Sequence, residues 1–297
     1  MAVKRWLMVI RGPFLLLPIA LAFLGTSIAW WYDGVFHLGH ALLAFLGLLL
    51  AHISVNALNE YFDYKSGVDL KTQRTPFSGG SGALPDGLVS AREALWLGWG
   101  SLIAIVPIGI YFTLIKGWQL FPLLIIAAIC IIFYTPVILK HNWPEWAPGV
   151  GLGALPVLGA YFAQTGEYTL PAIIASIIPG ILVHNLLLLN EFPDMEADAT
   201  VNRKTLPITI GPRKAGIVYS ALMIMMYVWI IGAVIAGQMP AFTLIALLTL
   251  PAAVKAIQGA RNYSDPGKLI PGMANNVMVV LLTQVLMGIG YILARIF

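Results

Sequence analysis

The sequence predicts an all-α, polytopic membrane protein, a bundle of nine transmembrane helices with a cytoplasmic N-terminus. Three observations lead there. Of the 297 residues 59% are hydrophobic and only 10% are charged, whereas a soluble domain carries roughly 25% charged residues. Apolar runs able to cross a hydrocarbon core of about 30 Å recur along the chain, and mean hydropathy is +0.86. With the N-terminus inside, fifteen of the seventeen Lys and Arg residues fall on the cytoplasmic side, as the positive-inside rule requires. A soluble enzyme is excluded, and the lone Cys130 excludes an intrachain disulfide.

Each segment is an apolar run bounded by Gly, Pro or charge. The first, 13–31, follows Lys4, Arg5 and Arg11, and reads as a retained helix because no small-residue cleavage site is evident. Segment 41–62 leads into a polar stretch with Lys65, Lys71, Arg74 and Arg92. Segments 91–115 and 118–138 flank Lys116, and the latter leads to Lys140. Segments 147–164 and 171–190 precede Arg203, Lys204, Arg213 and Lys214. Segments 214–236, 241–257 and 270–296 complete the set, with Lys255, Arg261 and Lys268 inside and Arg295 outside. Residues 1–297 are expected to form one membrane-embedded domain. The connections 63–90 and 191–213 are long and hold most of the polar residues, so function is expected on the cytoplasmic side. No nucleic-acid partner is expected.

Eleven of the thirteen carboxylates map to that same side. Two clusters share the pattern Asn-Glu-aromatic-x-Asp at the ends of like-oriented helices: Asn59-Glu60-Tyr61-Phe62-Asp63, followed by Asp69, and Asn190-Glu191-Phe192-Pro193-Asp194, followed by Asp198. His52, Asn56, Asn59 and Asp63 are spaced to share one helical face, as are Asn190, Asp194 and Asp198. Carboxylates converging at a membrane interface repel one another unless cations lie between them. Hard oxygen ligands suit Mg²⁺ bridged to substrate phosphates, and the neighbouring Lys71, Arg74, Arg203 and Lys204 suit phosphate oxygens. Gly79-Gly80-Ser81-Gly82 reads either as a phosphate cradle or as a turn. His52 and His184 read as packing histidines ahead of catalytic ones.

At these residues the sequence resembles the UbiA superfamily of integral-membrane prenyltransferases, which carry two Asp-rich motifs on nine-helix bundles. Glu60 replaces the usual Asp of the first motif, and Gly67 stands where many members have a further Asp. The six-residue spacing from Asp63 to Asp69 is similar to the branch that prenylates 1,4-dihydroxy-2-naphthoate in menaquinone synthesis. So are Asp194-Met195-Glu196-Ala197-Asp198, Asn202-Arg203-Lys204-Thr205-Leu206, Tyr134-Thr135-Pro136 and the stretch Gly159–Gly166 with its Gln164-Thr165-Gly166.

The resemblance implies transfer of a polyprenyl group from its diphosphate to an aromatic acceptor, with release of pyrophosphate. Asp63 and Asp69 are expected on one Mg²⁺ and Asp194 and Asp198 on a second, with Mn²⁺ able to substitute. Asn59 and Asn190 support the ions, while Glu60 and Glu191 ligate or position water. Lys71, Arg74, Arg203 and Lys204 are expected on the diphosphate, and Arg11 on the acceptor's carboxylate. Alternative acceptors are a hydroxybenzoate, a homogentisate, a chlorophyllide or an archaeal glycerol lipid precursor. A cation transporter or channel is the rival from another class, disfavoured because both acidic clusters lie at one face.

Overall fold

The computed structural model describes residues 2–297, and among these every regular element is helical. A short amphipathic helix α1 (Ala2–Val9) leads through a tight turn at Gly12–Leu15 into α2 (Leu16–Tyr32). Next come α3 (Leu38–Ser66) and α4 (Ala91–Lys116), the latter opened by a capping box between Ser90 and Glu93. The short α5 spans Leu120–Phe133. Helix α6 (Trp146–Gly149) runs through the wide turn Val150–Ala154 into α7 (Leu155–Thr165). After it come α8 (Leu170–Asn190), the short α9 (Met195–Ala199) and α10 (Leu206–Thr209), and α11 (Pro212–Ile235). A nine-residue 3₁₀ helix, Ala241–Thr249, runs into α12 (Leu250–Arg261), and α13 (Pro266–Ile296) follows.

Among the described residues eight segments are long and apolar enough to cross a membrane, and α5 is a ninth, apolar but only 14 residues long. At 1.5 Å per residue α5 rises about 21 Å, short of a full hydrocarbon core. The expected 118–138 segment therefore stops early. Tyr134-Thr135-Pro136 turns the chain there, because proline lacks an N–H and disfavours helical geometry in the residue before it.

Helices successive in the chain are neighbours in space, and α13 packs back on α2 to close the arrangement. Water provides little drive between apolar helices inside lipid, so close backbone approach and buried polar links hold them together. A Cβ at Gly153 would lie 2.5 Å from the Pro179 carbonyl oxygen, so only glycine lets the turn before α7 press against α8. In the second half, Asn185 Nδ2 donates to the Tyr219 carbonyl at 3.0 Å and Tyr219 O–H donates to Asn276 Oδ1 at 2.9 Å. That chain ties α8, α11 and α13 inside the apolar core.

The end of the bundle opposite the two long connections is laced shut. The Gln164 amide accepts from the His37 N–H at 2.7 Å and donates to the His37 carbonyl at 3.1 Å. Lys116 Nζ donates to the Gln164 carbonyl at 2.6 Å, and Tyr161 O–H donates to Asp33 at 2.6 Å. Gln164-Thr165-Gly166 thus belongs to a clasp remote from the acidic clusters. Gly159, Ala160 and Ala163 of the same stretch face an apolar cavity instead.

Candidate active site

Asp63 and Asp69 meet because of the way α3 ends. Asp63 lies on the last turn, and Gly67 at φ 77° takes the left-handed conformation that stops the helix. One short turn, Val68–Leu70, then brings Asp69 back beside Asp63. The second cluster is built differently from the continuous column that its spacing suggests. Helix α8 ends at Asn190, because Pro193 cannot donate a backbone hydrogen bond, and α9 starts afresh after Asp194. The two routes converge nonetheless. Asn59, Asp63, Asp69, Asn190, Asp194 and Asp198 all line one polar cavity of about 80 Å³.

Two arginines enter that cavity. Arg203 donates from Nη1 to Asp198 Oδ1 at 2.8 Å and from Nη2 to Asp63 Oδ1, joining the two motifs. Arg11 donates from Nη2 to Asn59 Oδ1 at 3.0 Å and to Glu60 Oε1 at 3.2 Å. The other three expected diphosphate ligands lie elsewhere. Lys71 is exposed and donates to Thr200 at 3.2 Å, and Arg74 makes a two-pronged pair with Asp86 at 2.9 and 3.0 Å. Lys204 points to solvent, with its backbone N–H held by the Leu139 carbonyl at 2.8 Å. Of the four residues expected on the diphosphate, the structure thus brings Arg203 into this cavity and leaves Lys71, Arg74 and Lys204 outside its lining.

Glu60, fully buried, is the anchor that spacing did not reveal. It accepts from the Ser81 N–H at 2.9 Å and the Ser81 hydroxyl at 2.6 Å, while the Gly79 N–H donates to Asp194 Oδ2 at 3.0 Å. The glycine-rich segment is therefore a turn pinned across the cavity by one carboxylate from each motif. Tyr134 and Thr135 were legible only as part of the resemblance. Tyr134 lines the cavity, and Thr135 accepts from Asn59 Nδ2 at 3.0 Å. Behind the site, Glu145 accepts from the Leu206 N–H at 2.7 Å. Burial, reinforced by neighbouring Glu145, raises the Glu191 carboxyl well above the ordinary range.

The oxygens left over fit a divalent cation. Asp69 Oδ2, Asn190 Oδ1 and Asp194 Oδ1 are buried without a hydrogen-bond partner. Burial and the charges of Asp63 and Glu60 push Asp69 up to about 8, and burial with Asp198 pushes Asp194 up to about 7. Burial also raises Asp198, against the pull of Arg203. Among the described residues no three His, Cys, Asp or Glu side chains stand close enough to enclose an ion alone. Such a donor set matches Mg²⁺, which takes one or two carboxylates and completes its shell with water and substrate phosphates.

Beneath the polar cavity lies an apolar chamber of about 90 Å³ walled by Phe14, Leu17, Val55, Cys130, Leu152 and Val183. Arg11, Asn59, Tyr134, Leu187 and Asn190 form the wall common to both. His52 and Leu152 in turn border a larger apolar cavity of about 560 Å³ between α3, α4, α5 and α7. Charge thus gives way to hydrocarbon over a few helical turns.

The UbiA prenyltransferase family model matches residues 16–271. The chain is 28% identical over 278 residues to the 1,4-dihydroxy-2-naphthoate octaprenyltransferase of Bacillus subtilis (strain 168), covering 91% of this chain and 86% of that one. Its fold is similar to a UbiA homolog from Aeropyrum pernix K1, with TM-score 0.69 and 18% identity over 95% of this chain and 98% of the other. It also resembles a UbiA homolog from Archaeoglobus fulgidus bound to DMAPP and Mg²⁺, with TM-score 0.65 and 15% identity over 95% and 99% of the two chains.

Proposed function

Because the chain belongs to the UbiA prenyltransferase family, we propose that this membrane prenyltransferase joins a polyprenyl group to 1,4-dihydroxy-2-naphthoate and releases pyrophosphate. One observation carries this reading: a cavity of carboxylates and arginine shares a wall with an apolar chamber and, through it, borders a hydrocarbon-lined cavity. A prenyl diphosphate has that same gradient from charged head to apolar tail.

Asp63 and Asp69, and Asp194 and Asp198, would hold two Mg²⁺ ions, whose charge offsets that developing on the departing pyrophosphate. Arg203 adds a guanidinium fork at the same place and exchanges its carboxylate partners for phosphate oxygens as the head group enters. The Ser78–Ser81 turn, held by Asp194 at Gly79 and by Glu60 at Ser81, covers the head group. Phe14, Leu17 and Val183 exclude water from the allylic carbon until the electron-rich acceptor ring reaches it. Arg11, in the common wall, receives the acceptor's carboxylate beside that carbon. The whole chain acts as one membrane domain with its site on the cytoplasmic face.

The test uses the purified protein in lipid vesicles with a polyprenyl diphosphate, Mg²⁺ and a panel of acceptors, followed by mass spectrometry of products. The expected result is a prenylated, decarboxylated naphthalenediol, with turnover lost on chelation and regained with Mg²⁺ or Mn²⁺. Preferential use of 4-hydroxybenzoate or a glycerol phosphate would overturn the acceptor assignment.

A further inference from the structure

His52 is 4% exposed in the wall where the apolar chamber meets the larger cavity. Its Nδ1 lies 2.9 Å from the Leu48 carbonyl oxygen. A carbonyl can only accept, so Nδ1 carries a proton, and in the neutral imidazole Nε2 then keeps its lone pair. Nε2 is buried and has no hydrogen-bond partner. Buried polar groups are nearly always paired, so a bare ring nitrogen in a cavity wall marks a place for a donor.

A bound molecule that brings a hydrogen-bond donor would complete this nitrogen. Of the two substrates that meet at this chamber, the prenyl tail has no donor, whereas a phenolic acceptor does. Position supports the match: His52 lies two turns from Asn59, about 10 Å along α3, and Asn59 accepts from Arg11. Asn56, on the turn between them, fixes the Arg11 turn by donating to the Ile10 carbonyl at 3.0 Å. Arg11, docked on Asn59, and His52 on the same face of α3 thus place a cation at the polar end of the chamber and a bare acceptor atom at the apolar end. A ring with a carboxylate on one side and a hydroxyl on the other spans the two.

We infer that His52 is a specificity-determining residue that accepts a hydrogen bond from the acceptor's ring hydroxyl remote from its charged group. This deepens the aromatic-acceptor reading and rests on it. A site built to pair a hydroxyl rejects analogues that lack it much more strongly than an apolar pocket does.

The experiment compares kcat/KM for 1,4-dihydroxy-2-naphthoate and its 4-O-methyl ether in the wild type, His52→Leu and His52→Gln. The ether changes ring electronics equally for every variant, so the ratio of ratios isolates the contact. The expected outcome is at least tenfold less discrimination in His52→Leu, recovery in His52→Gln through its amide oxygen, and KM for the prenyl diphosphate within twofold of wild type. Discrimination unchanged in a folded His52→Leu would overturn the inference, as would its loss in both variants. If the wild type prenylates no naphthoate at all, the acceptor reading falls first and this inference with it.

Discussion

Arg203 donates to one carboxylate from each acidic motif, so a single guanidinium links two groups of like charge. Removing one partner of a buried ion pair costs about 3–5 kcal/mol, because the other is left uncompensated. Arg203→Ala should lower the thermal midpoint in chelator and recover much of it with Mg²⁺; a variant as stable as wild type in chelator would contradict this. The raised carboxyls at Asp69 and Asp194 set a second expectation. Their folded values, about 8 and about 7, exceed the unfolded value near 3.9, so the native state binds protons more tightly. Their contribution to stability is present below that unfolded value and lost as pH rises through 7–8. Mg²⁺ must displace those protons, so the concentration giving half its stabilisation should fall between pH 6 and pH 8. Thermal shifts titrated at each pH would test it, and a pH-independent midpoint would oppose it. Residue identity showed the acids in the sequence; it could not show that Arg74 faces Asp86 or that Glu60 holds Ser81, since those pairings depend on how a long connection folds back.

The six-residue gap between Asp63 and Asp69 acquires a mechanical cause at the level of the element. Gly67 stops α3 in a left-handed conformation that an L-residue adopts at a cost of about 1–2 kcal/mol. Gly67→Ala should therefore lose stability on that scale and weaken Mg²⁺ binding more than the distant Gly237→Ala, which removes a similar left-handed glycine outside the site. Equal loss of Mg²⁺ affinity in both would argue against the cap's role in placing Asp69. The periodicity of His52, Asn56, Asn59 and Asp63 was fully legible, because α3 is unbroken through all four. That of Asn190, Asp194 and Asp198 misled, since Pro193 breaks the helix while the turn restores convergence. The same proline logic shortens α5 at Tyr134-Thr135-Pro136.

For the molecule as a whole, apolar runs revealed the membrane class and nearly every helix, whereas the relation of polar segments to the cavity required three dimensions. Gln164 is the sharpest example: the Gln164-Thr165-Gly166 segment carried part of the resemblance to the naphthoate branch, and its amide closes the end opposite the acidic clusters. The two ends also make orientation testable. In a Cys130→Ala background, Thr200→Cys should react only with reagent on the cytoplasmic side and Glu167→Cys only from the other; the reverse pattern would invert the assigned topology. The clasp at the Glu167 end has an electrical consequence. A bundle that draws a multiply charged head group below the membrane surface risks becoming a shunt for ions. Here the route beyond the apolar chambers ends in paired, buried amide and phenol groups around Gln164 and Tyr161, so vesicles carrying the protein should hold an imposed voltage as long as protein-free vesicles do.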